Sequence, residues 1–583
     1  MNITVYRRKL TALSRFGSLL LFALLAFSFA AAAGAQSESK SSADQSGLDP
    51  IRSYISEGWN TLTRSLSECK TIVDPKITGT SVLYVPADFE VPSAVEDLQQ
   101  KCHIQVHHLP SVIHSLGQID PAKVEPDGLL YLENRYVVPG GRFNEMYGWD
   151  SYFIIRGLVQ DHRVDLAQGM VENFFFEIEH YGAVLNANRT YYLTRSQPPF
   201  LTSMILAVYE AQKAAGHDNR AWLEKAYGYA KRDHALWTSE AHLAGDTGLS
   251  RYYDFGLGPA PESLKDETGH YREVAAFFLA QPDRGGSYFV QKSPSEPPSP
   301  QLGPAFNVQA CDVAKTMTRS ECSSAGAFLL SADYYKGDRA MRESGFDISF
   351  RFGPYGDATH HYAPVCLNSL LYKTEKDLEH IGETLGHKEE ATQWRKRAEE
   401  RKSKIQQYLW DQQRGMYFDY QFETRERSTY EYITTFYPLW AGIATPEQAK
   451  AVLEHLNVFE RPGGMVMSAH ETGSQWDYPY VWAPTQMVAL EGMRRYAFNA
   501  AADRVSYQFL SNVAENFRRD GTIREKYNAV TRSSETQVSA GYHMNVVGFG
   551  WTNAAFLVLL HELPPDSVAR LAAEQNVALH SAN

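Results

Sequence analysis

Cysteine is scarce in this chain, and its scarcity excludes the class of small proteins that are built on disulfides. Five cysteines, Cys69, Cys102, Cys311, Cys322 and Cys366, are spread over 583 residues. Such spacing does not form a dense disulfide scaffold. Cys69 with Cys102 and Cys311 with Cys322 are nearest in sequence and are candidate pairs, although spacing alone does not establish their geometry. Cys366 lies in an apolar helical pattern, which predicts a small buried residue rather than a nucleophile.

Long apolar runs are also rare. One run, residues 16–33, follows three basic residues at positions 7–9 and ends in Ala33-Gly34-Ala35. This order is typical of a secretory signal peptide, so residues 1–35 are predicted to be removed, with an uncleaved N-terminal anchor as the alternative. No later run is long and apolar enough to span a bilayer. We therefore expect a periplasmic or secreted protein that has no membrane association after cleavage.

Positive charge is in short supply as well. The chain has 56 Lys and Arg residues against 68 Asp and Glu residues, which gives a formal net charge of -12. An acidic protein is a poor match for nucleic acid or for anionic lipid. We therefore expect a small-molecule partner, and a monomer that binds no nucleic acid.

The distribution of polar and apolar residues suggests how the chain is organised. Residues 36–50 are rich in Ser, Gly and Asp and are predicted to be a flexible linker. Residues 51–138 carry mixed signals and are predicted to form an N-terminal extension. Farther on the helical period dominates, and strand-like pieces such as residues 416–420 are few. The Ser- and Pro-rich residues 293–303 are predicted to be an exposed loop. Helical spacing is clearest at Met170, Phe174, Phe175, Ile178, Leu367, Leu370, Leu371, Leu378, Ile381 and Leu385.

The segment at residues 139–153, here named the first motif, combines groups that suit a sugar. It reads PGGRFNEMYGWDSYF. Two glycines bend the backbone and remove side-chain bulk. Arg142 offers a planar fork of donors, Asp150 offers acceptors, and Trp149 offers an apolar face for the C–H side of a sugar ring. The alternative is a turn followed by a helix, with Asp150 near its N-terminus and Trp149 in the core.

Two carboxylates have contexts that suit acid and base catalysis. Asp347 lies in ESGFDISFR, where the neighbouring Phe346 can desolvate the carboxyl and raise its pKa, as an acid requires. Glu525 lies in REKYN, where two flanking cations would keep it ionised, as a base requires. Each has an ordinary alternative: a helix cap for Asp347 and a surface ion pair for Glu525.

These segments resemble the trehalase family of glycoside hydrolases. The first motif matches one family signature, and residues 475–484, QWDYPYVWAP, here named the second motif, match another. The similarity covers most of the chain. It implies an all-α fold, an (α/α)6 barrel at residues 139–565 with the extension at 51–138 and a tail at 566–583. It also implies inverting hydrolysis of α,α-trehalose to two glucose molecules.

The resemblance assigns roles to individual residues. It implies that Asp347 is the general acid and Glu525 the general base. Segments NANR at residues 186–189 and RSQPP at 195–199 also match the family. The residues it implies for substrate binding are Arg142, Phe143, Trp149, Asp150, Asn186, Arg195, Ser196, Gln197, Glu262, Gly345 and Trp476.

The chain departs from the family pattern at a few positions. Ala260 stands where the family has Arg, and Phe346 where it has Trp. Asn528 replaces an Asp near Glu525. Residues 533–542 replace a Gly-rich lid, with Tyr542 near the position of its Glu. These changes leave the chemistry in place and weaken the identification of the second sugar.

Two other functions remain open at this stage. The same mechanism could act on another small α-glucoside, which the altered lid favours. A sugar-binding protein without hydrolytic activity is a third reading, and the retention of both Asp347 and Glu525 argues against it. His360 and His361 are adjacent, so they are expected to point apart, and no carboxylate follows them at ligand spacing. The sequence therefore predicts neither a metal nor a cofactor.

Overall fold

The computed structural model describes residues 46–74, 79–265, 269–285, 288–292, 308–313, 318–542 and 544–581. The predicted signal peptide and the loop at 293–303 lie outside these residues. Within the described part of the chain, no helix is both long and apolar enough to cross a membrane.

The chain preceding the first motif forms short elements. The helices are α1 (Asp49–Leu62), α2 (Cys69–Ile72) and α3 (Ser93–Cys102), and the strands are β1 (Thr63–Arg64), β2 (Val82–Val85), β3 (Gln105–His108), β4 (Leu129–Leu130) and β5 (Tyr136–Val137). Strand β2 pairs in parallel with β3 and β4, and β1 pairs with β5 in antiparallel fashion. Strand β2 is formed by four apolar residues that are all buried.

The next part of the chain is helical. It comprises α4 (Gly148–Gln160), α5 (Val164–His180), α6 (Leu201–Ala214) and α7 (Arg220–Trp237). The predicted apolar positions of α5, which include Phe174 and Ile178, are buried.

A segment of shorter elements follows α7. Its helices are α8 (Pro261–Lys265), α9 (His270–Ala280), α10 (Pro282–Gly285), α11 (Ala310–Val313), α12 (Arg319–Ala325) and α13 (Ala332–Glu343), and its strands are β6 (Phe289–Lys292), β7 (Val308–Gln309) and β8 (Ala327–Leu330). The strands form one antiparallel sheet in the order β6-β8-β7.

The remaining helices alternate with two- and three-residue strands. The helices are α14 (Val365–Leu385), α15 (Lys388–Tyr408), α16 (Tyr437–Ala441), α17 (Pro446–Glu454), α18 (Leu456–Phe459), α19 (Ala483–Arg495), α20 (Asn499–Asp520), α21 (Gly550–Glu562) and α22 (Pro565–Ser581). The strands are β9 (Tyr362–Ala363), β10 (Trp410–Asp411), β11 (Met416–Tyr417), β12 (Tyr420–Gln421), β13 (Glu426–Arg427), β14 (Glu460–Arg461), β15 (Gly464–Met465), β16 (Tyr480–Trp482) and β17 (Lys526–Asn528).

Six helices contact one another in a closed ring. The order is α4, α6, α14, α16, α19 and α21, and α21 returns to pack on α4. Helices α5, α7, α15 and α20 each pack on the ring helix that precedes them in sequence. Alternating inner and outer helices bury one apolar stripe of each inner helix against its neighbours. This arrangement is the predicted (α/α)6 barrel.

The chain forms two compact units. One comprises residues 52–563 and contains the ring. The other comprises residues 1–51 with 564–583, and in its described part the turn Ser46–Leu48 packs on α22. Gly47 is needed there, because a Cβ atom at this position would lie 2.2 Å from the carbonyl oxygen of Ala572.

Several sequence expectations can be compared with these elements. The linker prediction for residues 36–50 is wrong at its end, because Ser46–Leu48 form a turn and α1 begins at Asp49, where Asp49-Pro50 suits a first helical turn. The predicted tail is mostly the helix α22. Both candidate cysteine pairs form disulfides, Cys69 with Cys102 and Cys311 with Cys322. Cys366 is free and buried, as predicted.

Candidate active site

Asp347 and Glu525 line the same cavity. Every predicted substrate-binding residue except Ser196 lines it with them. The Ser196 hydroxyl instead donates to the carbonyl oxygen of Val184 at 2.6 Å, and its N–H donates to Glu343 Oε1 at 3.3 Å. Ser196 therefore holds the chain beside the cavity and does not line it.

The first motif enters the cavity through the start of α4. This helix begins at Gly148, so Asp150 lies in its first turn. The backbone N–H of Trp149 donates to Gln197 Oε1 at 3.0 Å. Asp150 is buried, and burial, together with the nearby charges of Glu525 and Asp347, raises the pKa of its carboxyl well above the usual value. Asp150 and Trp149 are thus both helix residues and cavity residues, so the two sequence interpretations of this motif apply together.

Asp347 follows α13 and a glycine that the site requires. Gly345 has a φ of +75°, and a Cβ atom there would lie 2.7 Å from the indole ring of Trp149. Phe346 is buried and makes edge contacts with Trp149 and Trp476, at centroid distances of 5.4 and 5.2 Å. The predicted aromatic surroundings of Asp347 are therefore present, and they pack against the two residues that precede it.

Glu525 lies just before β17 and is 2% exposed. Lys526 Nζ lies 3.2 Å from Glu525 Oε2. Burial lowers the pKa of Lys526, while the charge of Glu525 opposes this shift. Arg524 does not contact Glu525, because its guanidinium lies near Asp520 and donates to the carbonyl oxygen of Asn545. Of the two flanking cations that the sequence offered, Lys526 alone contacts the predicted base.

The second motif connects the two carboxylate segments. Gln475 Nε2 donates to the carbonyl oxygen of Asp347 at 2.6 Å, and Gln475 Oε1 accepts from Lys526 Nζ at 3.2 Å. Strand β16 of this motif pairs with β17, with Trp482 opposite Lys526. One amide side chain therefore links the backbone of Asp347 to the ammonium group beside Glu525.

A group of opposite charges forms one wall of the cavity. Arg195 pairs with Glu262, and its Nη1 lies 3.7 Å from Asp254 Oδ2. Arg342 Nη1 lies 3.6 Å from Glu262 Oε1. Although burial lowers it, the net pKa of Arg195 is raised by Glu262 and Asp254, so its charge is secure. Asn186 Oδ1 accepts from Arg195 Nε at 3.0 Å and fixes the orientation of the guanidinium.

Arg142 and Tyr542 lie at the exposed side of the cavity. Arg142 is exposed, and its guanidinium carbon lies 4.4 Å from the centroid of the Phe143 ring and 5.6 Å from that of Tyr542. Lys526 Nζ lies 4.9 Å from the Tyr542 ring centroid. The Tyr542 ring is thus within cation–π distance of two cations.

Some cavity residues were missed by the sequence prediction. Seven of them lie inside or within three residues of a segment recognised in the sequence, whereas Phe549 and Trp551 lie farther along the chain; position in a motif alone does not tell which side chains face the cavity. The missed residues are Pro139, Glu145, Tyr147, Tyr191, Tyr192, Arg342, Tyr542, Phe549 and Trp551. The sequence noted Tyr542 as a departure from the family without assigning it to the site.

The chain is similar to known trehalases over most of its length. The family model described as Trehalase matches residues 42–278 and 328–564. The "Probable trehalase" of Eremothecium gossypii is 34% identical over 574 residues, covering 88% of this chain and 72% of that protein. The "Cytosolic neutral trehalase" of Kluyveromyces lactis is 35% identical over 519 residues, covering 83% of this chain and 62% of that protein. This chain therefore spans less than two thirds of some curated relatives.

A solved structure agrees. The neutral trehalase Nth1 from Saccharomyces cerevisiae superposes with a TM-score of 0.72 at 30% identity, covering 90% of this chain and 96% of that one. The names of the curated relatives correct one expectation. Several are cytosolic neutral trehalases, which contradicts the predicted periplasmic or secreted location. With the family model, the relatives and the barrel in agreement, this chain belongs to the trehalase family of glycoside hydrolases.

Proposed function

We propose that this chain hydrolyses α,α-trehalose to two glucose molecules by an inverting mechanism, with Asp347 as general acid and Glu525 as general base. One observation carries the proposal: the two carboxylates, far apart in sequence, line one cavity together with the aromatic and charged residues that a disaccharide needs. Two carboxyl groups on opposite sides of a glycosidic bond are what such hydrolysis requires.

In this mechanism Asp347 delivers a proton to the glycosidic oxygen as the bond to the anomeric carbon breaks. Glu525 removes a proton from a water molecule, whose oxygen bonds to that carbon from the opposite face. The ammonium group of Lys526 donates to Glu525 Oε2 at 3.2 Å and so holds the carboxyl group in position. Gln475, which bonds to the backbone of Asp347 and to Lys526, connects the segments that carry the two carboxylates.

Two buried polar atoms in the cavity support sugar binding. Glu262 Oε2 and Trp476 Nε1 have no hydrogen-bond partner among the described residues. Buried polar groups are normally paired, so an unpaired acceptor and an unpaired donor in one cavity suit the hydroxyl groups of a ligand. The Arg195 and Arg342 guanidinium groups hold Glu262 in place from two sides.

A second candidate substrate is another small α-glucoside. Tyr542 favours it, because a neutral ring beside Arg142 and Lys526 takes the position near which the family has an acidic lid residue.

We also propose that the chain works as a monomer and binds neither nucleic acid nor membranes. Its net charge of -12 supports this for polyanionic partners.

The test measures glucose release by the purified protein from trehalose and from a panel of α-glucosides. We expect the highest kcat/KM on trehalose. A higher kcat/KM on another α-glucoside would identify that sugar as the substrate in place of trehalose. No glucose release from any of the sugars would favour a binding protein.

Catalytic variants test the residues. Asp347→Asn and Glu525→Gln keep shape and remove proton transfer, so each should lower kcat by roughly 10² to 10⁴-fold with unchanged melting. Glu471→Gln, an exposed position outside the cavity, is the matched control. Near-normal turnover in either catalytic variant would remove that residue from the mechanism.

The product anomers test the stereochemistry. Inverting enzymes hold their carboxyl groups about 6.5 to 9.5 Å apart, whereas retaining enzymes hold them about 5 to 5.5 Å apart. With inversion, trehalose gives one α- and one β-glucose per turnover, which a proton spectrum recorded before mutarotation detects. Only α-glucose at early times would establish retention instead.

A further inference from the structure

Asp333, His360 and His361 meet outside the catalytic cavity. Asp333 Oδ1 lies 2.7 Å from His360 Nε2, and Asp333 Oδ2 lies 3.5 Å from His361 Nε2. One ligand atom from each of the three residues can be chosen so that all lie within 4.8 Å of one another. Four-coordinate zinc, with bonds of about 2.0 to 2.2 Å, places its ligand atoms at separations of this order. We name these three residues the histidine cluster.

The backbone explains why two adjacent histidines converge. Both lie in the single 3₁₀ turn Thr359–His361, and their ring centroids are 3.8 Å apart. Asp333 lies in the first turn of α13 and supplies the carboxylate. No carboxylate follows the histidines at ligand spacing in the sequence, but the fold brings Asp333 to them from an earlier helix. The expectation that the two rings point apart is therefore wrong.

The burial of His360 suits a metal ligand. Its side chain is 5% exposed, so the imidazole is largely withdrawn from water. His360 Nδ1 has no hydrogen-bond partner among the described residues, so it is free to carry the ring proton when Nε2 binds a metal.

The charged groups near the histidine cluster favour a bound cation. His361 Nδ1 lies 2.9 Å from Glu423 Oε1 without hydrogen-bond alignment, so a small ring rotation would place Glu423 as the carboxylate that orients a ligating imidazole. Arg251 donates to the carbonyl oxygen of His360 and brings a positive charge near the cluster. Asp333 and Glu423 bring two negative charges, which favour a dication at the cluster.

We propose that the histidine cluster binds one divalent transition-metal ion of the zinc class. Asp333, His360 Nε2 and His361 Nε2 are the ligands, Glu423 orients His361, and water fills the fourth position. Two imidazoles and one carboxylate favour zinc, cobalt or nickel over magnesium or calcium. The ion joins the start of α13 to the turn at 359–361, and thereby ties together the two ends of the chain segment that contains Asp347. Its role is structural, since no cluster residue lines the cavity.

The test uses the full-length protein after treatment with a chelator. Zinc chloride is titrated by calorimetry, and cobalt chloride by the visible absorption that tetrahedral cobalt develops. We expect one zinc ion to bind per protein molecule, held by His360 and His361 together. The melting temperature should rise by a few degrees at zinc concentrations well above Kd. Magnesium and calcium should produce no shift.

Variants decide whether the ion lies in this cluster. His361→Ala and Asp333→Asn should each lose the bound zinc ion and the zinc-dependent rise in melting temperature. His470→Ala removes another histidine paired with a carboxylate, Glu431 at 3.0 Å, and should keep both. Because the readout is the difference with and without zinc, a variant that is less stable on its own still gives a result. Equal binding by wild type and His361→Ala, or a wild-type Kd weaker than about 100 μM, would overturn the proposal.

Discussion

Arg342 places a positive charge beside Glu262, close to the position where Ala260 leaves none. Ala260 is fully buried, and its N–H donates to the hydroxyl of Tyr271. Arg342 lies 3.6 Å from Glu262 Oε1 and also contacts Asp338 Oδ1 at 3.2 Å. We infer that Arg342 takes over the role of the family arginine that is absent at position 260.

This inference predicts a rescue. Arg342→Ala should lower kcat/KM on trehalose by roughly 10 to 100-fold, since it removes the cation beside Glu262 in the cavity, and a charge-assisted hydrogen bond to a sugar hydroxyl contributes about 1.5 to 3 kcal/mol. Adding Ala260→Arg should restore a large part of the loss, because the new guanidinium can reach the same carboxylate. The measurement is steady-state kinetics of both variants. Unchanged kinetics in Arg342→Ala, or no gain in the double variant, would contradict the inferred exchange.

Asp150 should destabilise the fold at neutral pH. Its folded-state pKa lies well above the unfolded value of 3.8, so the folded protein holds a proton that the unfolded chain has released. The free energy of unfolding therefore falls as pH rises from about 4 through the folded pKa.

Asp150→Asn removes this pH dependence, so the variant should melt above the wild type at neutral pH and close to it below pH 4. Its kcat/KM should fall by up to about 10-fold, because the amide changes the donors and acceptors offered to a sugar hydroxyl and a neutral hydrogen bond contributes about 0.5 to 1.5 kcal/mol. Melting curves between pH 4 and 8 check this. A gap between variant and wild type that stays constant across the range would refute the titration.

The sequence predicted most of the site because its chemistry lies in contiguous motifs. Asp347, Glu525 and Trp149 are recognisable from their neighbours in the chain. Arg342 and Tyr542 were not predicted as site residues, because their importance arises from contacts with Glu262 and Arg142 that only the fold creates. The histidine cluster was missed for the same reason.

At the scale of elements, the contact between α4 and α21 closes the ring through a glycine. A Cβ atom on Gly157 would lie 2.5 Å from Cβ of Ala554 and 3.1 Å from the ring of Trp59. The two backbones approach closely at this point, and any side chain there would force them apart.

Two glycine variants separate packing from helix propensity. Gly157→Ala should lower the free energy of unfolding by about 1 to 3 kcal/mol through overpacking. Gly228→Ala is the matched control inside α7, where nothing lies within 4 Å of the added carbon, and it should raise the free energy by about 0.5 to 1 kcal/mol. Urea denaturation measures both. Changes of the same sign in the free energy of unfolding of the two variants would contradict close packing of α4 on α21 at Gly157.

The sequence predicted long helices better than short elements. The apolar spacing in α5 and α14 continues over several turns, so the period is unmistakable. Helix α16 has five residues, Tyr437–Ala441, and takes its place in the ring through contacts with α14 and α19. The predicted strand at 416–420 divides into β11 and the start of β12 for a similar reason: strand pairing, which is a tertiary contact, sets these ends.

At the scale of the whole molecule, the predicted N-terminal extension is closely connected to the barrel. Trp59 is fully buried and packs near Gly157. Arg189 pairs with Asp74 of the extension and with Glu145 of the first motif. Its Nη2 lies 2.5 Å from a carboxylate oxygen of each. We propose that residues 52–138 and the barrel unfold together.

Calorimetry of a Trp59 variant tests this proposal. Trp59→Ala should lower the melting temperature of one common transition, with a loss of about 3 to 5 kcal/mol in the free energy of unfolding. Leu257→Ala, at a side chain that is 68% exposed, is the control and should stay within about 0.5 kcal/mol of the wild type. A separate early transition in Trp59→Ala would show that the extension is an independent domain.

The closed ring also constrains how the protein is made. Helix α4 is the first ring helix to be synthesised and α21 is the last. The side of α4 that α21 covers therefore stays exposed until α21 has been made. At about 5 to 20 residues per second, a ribosome needs roughly 20 to 80 seconds to synthesise the chain between them. During that interval the nascent chain presents the apolar flank of α4, including Gly157, without its partner. A chain released before residue 550 lacks the closing helix altogether, so premature termination even near the C-terminus yields a species that chaperones must bind or proteases remove.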